Sequence, residues 1–294
     1  MLVSIIIINY NAFQLTCNCI ESIIKFTKGI EYEIVLVDNH SAECDASLFF
    51  QKFPNVVLVK NSENGGFAKG NNLGIQHAKG DVILLLNNDT WLTEDAISKC
   101  TKKLAAQTNT GVIGVKMFYP SGGVQYTARK FRGIGWELLD LLRFIPLMMP
   151  YKKRAQLMLG KYFKGDFDTE CDWLNGAFFM FPKAILSRLP GNKLDERFFM
   201  YGEDQLWCYQ VKKAGFTCYF FSETSIVHIN RGSSNKKRQL QLLKTMRRAE
   251  LEIMRERCGK GLYYYMFCLI YLTKEYCRNA VKWLVYILSG KIIR

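Results

Sequence analysis

The sequence predicts an α/β fold: a mostly parallel sheet flanked by helices, with a helical extension at the C-terminus. Three observations carry that prediction. Short β-branched runs alternate with helix-like stretches over the first 120 residues. The runs are apolar almost throughout, not only at alternate positions, as expected of strands covered on both faces. Polar segments close them, and strand–helix alternation of this kind builds parallel sheets.

In order, strands are expected at 2–9, 33–37, 56–60, 81–86 and 112–118, with helices near 13–25, 45–52, 67–78 and 94–107. Ligands of such sheets bind beyond the carboxyl ends of the strands. Asn9-Tyr10-Asn11, 38–41, 61–66 and 87–90 should therefore meet at one polar rim. Residues 120–170 are less regular, with basic Arg129, Lys130 and Arg132 preceding an apolar stretch over 136–149. Two more strands are expected at 173–181 and 216–227, separated by a helix at 204–214. Residues 236–257 carry Leu242, Leu243, Met246, Ala249, Ile253 and Met254 at helical spacing among basic side chains. Two apolar runs follow, 262–272 and 281–288, broken by Lys274, Glu275 and Arg278. Neither reaches the ~20 residues that span a bilayer. A main domain over 1–235, in two halves of about 1–120 and 121–235, and a C-terminal region over 236–294 are the expected units.

The chain has 294 residues, enough to bury a core without covalent staples. Its ten cysteines include no C-x-x-C pair, and no basic stretch precedes the apolar N-terminus, so a cytoplasmic location is expected. The net charge of +14 is lopsided: residues 1–110 carry −2 and residues 111–294 carry +16. Such a half attracts anions, whether nucleic acid, an anionic membrane or a phosphorylated substrate.

Within 64–74, Gly66, Gly70 and Gly74 lie four apart, along one helix face. Each glycine inside a helix costs about 1 kcal/mol relative to alanine, so something approaches that face closely, either the sheet or a ligand. Asn87-Asn88-Asp89 ends a very apolar strand. Its acid could cap a helix or hold a hard cation against a pyrophosphate. Glu203-Asp204 sits at an expected helix start, where capping explains one acid and a base with its partner explains two. His228 follows an apolar strand and reads as structural or as a metal ligand.

These segments, in this order, resemble the inverting family 2 glycosyltransferases of the GT-A fold, nearest to their rhamnosyltransferase-like branch in bacterial surface polysaccharide synthesis. The matched stretches are 4–11, 37–41, 64–74, 84–89, 173–179, 194–204 and 228–234. The resemblance implies that Asp38 holds the nucleotide base and ribose. It implies a donor site drawn from Asn9, Asn11, Asn64, Gly66, Phe67, Asn71, Asn72 and Asn88. Asp89 matches the last acid of a metal motif whose first acid is Asn87 here, and His228 matches a histidine at the metal or pyrophosphate. Asp204 matches the general base with Glu203 beside it, and Trp173, Asn175, Gly176 and Ala177 lie on the acceptor side. The helix behind the acid pair departs from the family pattern, with Leu206-Trp207-Cys208 and with Gln210 at the usual arginine.

The implied reaction moves a sugar from a nucleoside-diphosphate sugar to a glycan or polyprenyl-linked acceptor, with Mg²⁺ or Mn²⁺ as cofactor. A sugar nucleotidyltransferase is a nearby alternative, although Asn9-Tyr10-Asn11 replaces its usual Gly-rich first loop. A basic nucleic-acid-binding protein is a more distant one, and no zinc-finger or RNA-binding signature supports it. The tyrosines at 263–265 and 271, Trp283 and Tyr286, together with ten basic and three acidic residues over 231–260, suit an anionic membrane surface on its cytoplasmic side.

Overall fold

The computed structural model describes residues 1–230 and 236–289, without the side chains of 236–240 and 282–289. The strands are β1 (Leu2–Asn9), β2 (Glu31–Asp38), β3 (Val57–Lys60), β4 (Val82–Asn87), β5 (Thr90–Leu92), β6 (Thr110–Phe118), β7 (Val124–Gln125), β8 (Ala128–Arg129), β9 (Thr169–Cys171), β10 (Trp173–Leu174), β11 (Phe178–Pro182) and β12 (Thr217–His228). The helices are α1 (Phe13–Phe26), α2 (Ser47–Lys52), α3 (Gly66–His77), α4 (Ala96–Ala106), α5 (Ile134–Leu141), α6 (Phe144–Met148), α7 (Tyr151–Met158), α8 (Glu203–Lys213), α9 (Lys236–Cys258) and α10 (Leu262–Ser289).

The main sheet runs β3-β2-β1-β4-β11-β6-β12-β5. Its first four strands are mutually parallel, as are β6 and β12, whereas β11 lies antiparallel between β4 and β6. Alternate residues of β1 feed opposite cores. Ile5 and Ile7 pack with Ile20, Ile23 and Phe49 from α1 and α2, and Ile6 packs with Ala68, Ile75 and Trp207 from α3 and α8. That two-sided burial is why the strands read as unbroken apolar runs.

Register aligns the strand ends. Asn9 stands opposite Asp38, Asp38 opposite Lys60, and Ile8 opposite Asn87. The expected rim is therefore real geometry. Two of the α3 glycines, Gly70 and Gly74, are explained by the sheet. A Cβ on Gly74 would meet Ile6 Cγ2 at 2.5 Å, and one on Gly70 would meet Ile8 Cδ1 at 3.0 Å.

Two expectations need correction. The run over 173–181 is two strands in two sheets. β10 pairs with β8, and β11 joins the main sheet. Asn175 makes the break: its Oδ1 accepts from Ala177 N–H at 2.9 Å, a side-chain turn that competes with strand pairing. The two C-terminal apolar runs are one 28-residue helix, α10, about 42 Å long. Lys274 and Glu275 do not interrupt it, because they are buried. Lys274 pairs with Glu137 and, at 2.9 Å, with Asp140, both on α5. Arg132 bridges Glu137 at 3.2 Å and lies 3.7 Å from Glu250 on α9. Phe267 and Tyr271 pack beside Met254. The helical extension is thus held to the main domain by a buried ion cluster and an aromatic contact.

On α9, Ala249, Ile253 and Met254 are buried, but Leu243 and Met246 are exposed. The expected apolar face is divided: its C-terminal part packs, and its N-terminal part borders a cleft. No helix among the described residues is long and apolar enough to cross a membrane. All ten cysteines are free thiols. The expected boundary near 235, most of the stretch after His228 (231–235), and the side chains of Trp283 and Tyr286 lie outside what is described.

Candidate active site

The rim is a hydrogen-bonded polar network. Asn9 Nδ2 donates to Asp38 Oδ1 at 2.9 Å and to Ser41 Oγ at 3.0 Å. Asn9 Oδ1 accepts from Thr16 Oγ1, whose hydroxyl in turn accepts from Asn88 Nδ2. Asn11, at φ 49°, uses its carbonyl to hold the Ala42 and Glu43 N–H groups. Asn39 Nδ2 donates to Asn64 Oδ1 at 2.8 Å, and Asn39 Oδ1 accepts from Asn61. Four strand ends are thereby cross-linked into one rigid polar floor, which suits binding without reorganisation.

At the end of β4, Asp89 meets the end of β12. His228 Nε2 lies 3.2 Å from Asp89 Oδ1 and 3.5 Å from Asn87 Nδ2. Gln125 fixes the ring. Its Nε2 donates to the His228 carbonyl at 2.6 Å, which turns its Oε1 to His228 Nδ1 at 2.9 Å. Nδ1 therefore carries a proton, and Nε2 points at a carboxylate. A neutral ring would set a lone pair against Asp89, an opposition that a shared cation removes. One carboxylate and one imidazole suit a divalent cation that takes its other ligands from diphosphate and water. No group of three or more His, Cys, Asp or Glu among the described residues could hold a metal unaided. Asp89→Ala should therefore weaken nucleotide-sugar binding mainly when Mg²⁺ or Mn²⁺ is present. Titrations with cation and with EDTA check this, and equal affinity in both for both proteins would remove the metal from the account.

Other residues expected at the donor also make contacts within the protein. Gly66, at φ +82°, lies against Phe199, and a Cβ there would sit 2.4 Å from the Phe199 carbonyl oxygen. Phe67 N–H donates to that same oxygen at 2.9 Å, and the Phe67 ring stacks on Trp207. Asn71 donates to the Phe67 carbonyl in its own helix. Asn72 is buried and ties down 194–196 through Leu194 O, Leu194 N–H and Glu196 Oε1. The start of α3 thus holds the segment that leads into Glu203-Asp204.

That acid pair opens α8 after two left-handed residues, Tyr201 (φ 70°) and Gly202 (φ 106°). Asp204 Oδ2 accepts from Gly176 N–H at 3.1 Å, and its Oδ1 accepts from Gln205 N–H at 2.8 Å. Burial raises the Asp204 pKa, and these N–H groups oppose the rise. Glu203 is buried, and its Oε2 has no hydrogen-bond partner. Burial first, and the Asp204 charge second, push Glu203 up to about 8. Within the pair, the two N–H groups at Asp204 favour placing the charge there rather than on Glu203. A carboxyl whose folded pKa lies above its unfolded value of 4.5 costs stability as pH rises between the two. Glu203→Gln should accordingly gain stability over wild type progressively from about pH 5 to pH 8 and no further above. Urea unfolding across that range reads the slope, and a gain independent of pH would contradict it.

A cleft of about 1160 Å³ opens beside the rim. Asn11, Asn88 and Asp89 line one side, Phe198 to Tyr201 another, and Thr245, Arg248 and Glu252 of α9 a third. Asp204 does not line it, although the residues just before it do. Arg248, which has no ion-pair partner among the described residues, was hidden in a generic basic stretch. Gln125 likewise gave no signal, since its role depends on β7 meeting the end of β12. Trp173 lies beside Arg129, and Asn175, Gly176 and Ala177 form the turn that touches Asp204 and, through Ala177 O, Asn87 N–H.

A polar rim at the carboxyl ends of a mostly parallel sheet, joined to an acid pair, fits a glycosyltransferase scaffold, and comparison with known proteins agrees. Residues 4–168 match the model of glycosyl transferase family 2, and the chain belongs to that family. It is 26% identical over 179 residues to the uncharacterised glycosyltransferase YwdF of Bacillus subtilis, covering 59% of this chain and 66% of that one. It is 33% identical over 102 residues to the poly(ribitol-phosphate) beta-glucosyltransferase of Bacillus spizizenii, covering 33% of this chain and 16% of the relative. The chain therefore spans at most about two thirds of the length of these relatives. Among solved structures, S. aureus TarS 1-349 superposes with a TM-score of 0.53 at 15% identity, over 89% of this chain and 76% of that one. GalNAc-T7 with UDP, GalNAc and Mn²⁺ superposes with a TM-score of 0.59 at 18% identity, over 79% of this chain and 43% of that one. At these identities the structures show the fold.

Proposed function

We propose that this protein transfers a sugar, with inversion, from a nucleoside-diphosphate sugar to a glycan or lipid-linked acceptor in surface-polymer synthesis. The observation that carries this reading is the register of β1, β2 and β4, which sets Asp38 and Asn9 beside Asn88 and the Asp89–His228 pair. The donor reading gains support from the structure of GalNAc-T7 with UDP. The polymer reading gains support from the name of the Bacillus spizizenii relative.

In this account Asp38, Asn9 and Asn64 hold the nucleoside. Asp89 and His228 hold Mg²⁺ or Mn²⁺, which when bound offsets the charge that the departing diphosphate gains. Arg248 adds a positive charge from α9. The transition state resembles an oxocarbenium ion. Asp204, kept ionised by two backbone N–H groups, takes the proton of the attacking hydroxyl, and a single displacement inverts the anomeric centre. Trp173 and the 175–177 turn flank the acceptor. A thermal-shift screen of nucleotide sugars, with and without Mg²⁺ or Mn²⁺, tests the reading through ligand linkage. Stabilisation by a nucleotide sugar is expected. No response to any of them, alongside salt-dependent binding of arbitrary DNA, would overturn it.

The same proposal places the protein on the cytoplasmic face of a membrane. Leu141, Phe144, Leu147 and Met148 on α5 and α6, and Leu262, Tyr265 and Leu269 on α10, are exposed apolar side chains. Clusters of this kind, flanked by basic residues, suit an anionic lipid surface. The protein should float with anionic liposomes at low salt and less with neutral ones. Equal recovery with both, unchanged in Met148→Asp, would contradict this.

A further inference from the structure

A second cavity, of about 200 Å³, is lined by residues of β8, β10, α5, α7, α9 and α10. Five basic and two acidic side chains line it, together with Tyr126, Trp136 and Trp173. Most of those cations are already matched. Lys161 pairs with Asp140 at 2.5 Å, Arg132 with Glu137, and Arg278 with Glu275 at 2.6 Å. Arg129 and Lys130 are left with no ion-pair partner among the described residues.

Arg129 is held in place. Its guanidinium lies 4.9 Å from the centre of the Trp173 ring, and its Nε donates to the Tyr126 carbonyl at 3.0 Å. Those contacts fix the plane and leave the terminal nitrogens for something else. Among the described residues no carboxylate lies within ion-pair distance of it, although the Asp204 and Glu250 charges favour its charged state against the cost of burial, whereas the neighbouring Arg132 is paired directly. Chain geometry also ties the cavity to the reaction centre. Arg129 stands opposite Trp173 in the β8–β10 ladder, and three residues after Trp173 the Gly176 N–H binds Asp204.

We propose that this cavity is the subsite for a negatively charged group of the acceptor, a phosphate or a carboxylate. Arg129 is its specificity-determining residue, and Lys130 assists. This inference rests on the transferase reading above and adds the charge of the acceptor to it. Arg suits the task because its planar fork binds oxyanions through two parallel hydrogen bonds.

The test uses the full chain and two matched probe pairs, glycerol 3-phosphate with glycerol and glucuronate with glucose, titrated by NMR line broadening. Wild type should bind one charged probe at least about tenfold more tightly than its neutral partner, the usual scale of a charge-assisted pair. The pair that shows the preference tells phosphate from carboxylate. R129Q should abolish the preference, and R129K should keep part of it. K130Q should reduce it about threefold and serves should R129Q fold poorly, which circular dichroism would reveal. UDP-glucose titration runs in parallel. If nucleotide sugar binds but wild type shows no charge preference, or if R129Q and K130Q both leave the preference within about twofold, the subsite is wrong and the transferase reading stands. If no nucleotide sugar binds, the transferase reading fails first.

Discussion

Asp204→Asn is expected to lower sugar-transfer turnover by about 100-fold or more, the lower end of what a positioned base contributes. The substitution keeps the shape of the side chain and at least one of its acceptor bonds, so folding and donor affinity should change little. What is lost is the carboxylate of the pair whose charged form is held by backbone N–H groups. Asp204 receives the Gly176 and Gln205 N–H groups, whereas Glu203 is buried with an unpartnered oxygen and a pKa pushed up to about 8. A drop in kcat with little change in the KM for the donor supports the role. Near-wild-type turnover would remove it and move the search to Glu203.

Lys274→Met should destabilise the protein by about 3 kcal/mol, toward the lower end of the cost of breaking a buried ion pair from one side. Glu137 and Asp140 are both buried and would lose their shared ammonium. The cost stays at the lower end because Arg132 still reaches Glu137 and Lys161 still reaches Asp140. Urea unfolding measures it. A loss below about 0.5 kcal/mol, the scale of a surface substitution, would mean that α10 is not held to α5 by this cluster.

Much of this architecture was legible in the chain because both periodicities are strong where burial is two-sided. β1 and β4 are apolar at nearly every position, and α1 and α4 show clear helical spacing, so the alternation placed the rim without tertiary information. The expected rim residues Asn9, Asp38, Asn88 and Asp89 do converge. Less local features were hidden. Gly66, Asn71 and Asn72 resemble ligand contacts in a motif, yet their partners are Phe199, Phe67 and Leu194, and two of these lie more than 120 residues away in sequence. The break inside 173–181 depends on one asparagine that turns the chain against a strand-like composition. Lys274 and Glu275 read as solvent-facing interruptions because charges in an apolar run usually are. Only the distant acids and arginine that pair with them show otherwise. Arg129 stood out only as one of three basic residues and Gln125 carried no signal, since each matters through a neighbour brought in by sheet pairing.

The central claim is a single displacement at a nucleotide-sugar rim with Asp204 as base. Proton NMR of the reaction, with an α-linked nucleoside-diphosphate sugar from the thermal-shift screen and a glycan acceptor, tests it most directly. The account predicts a β-linked product and one nucleoside diphosphate released per sugar transferred, both slowed together in Asp204→Asn. An α-linked product would contradict the single displacement, and formation of sugar 1-phosphate and nucleoside triphosphate when pyrophosphate replaces the acceptor would make the protein a nucleotidyltransferase instead.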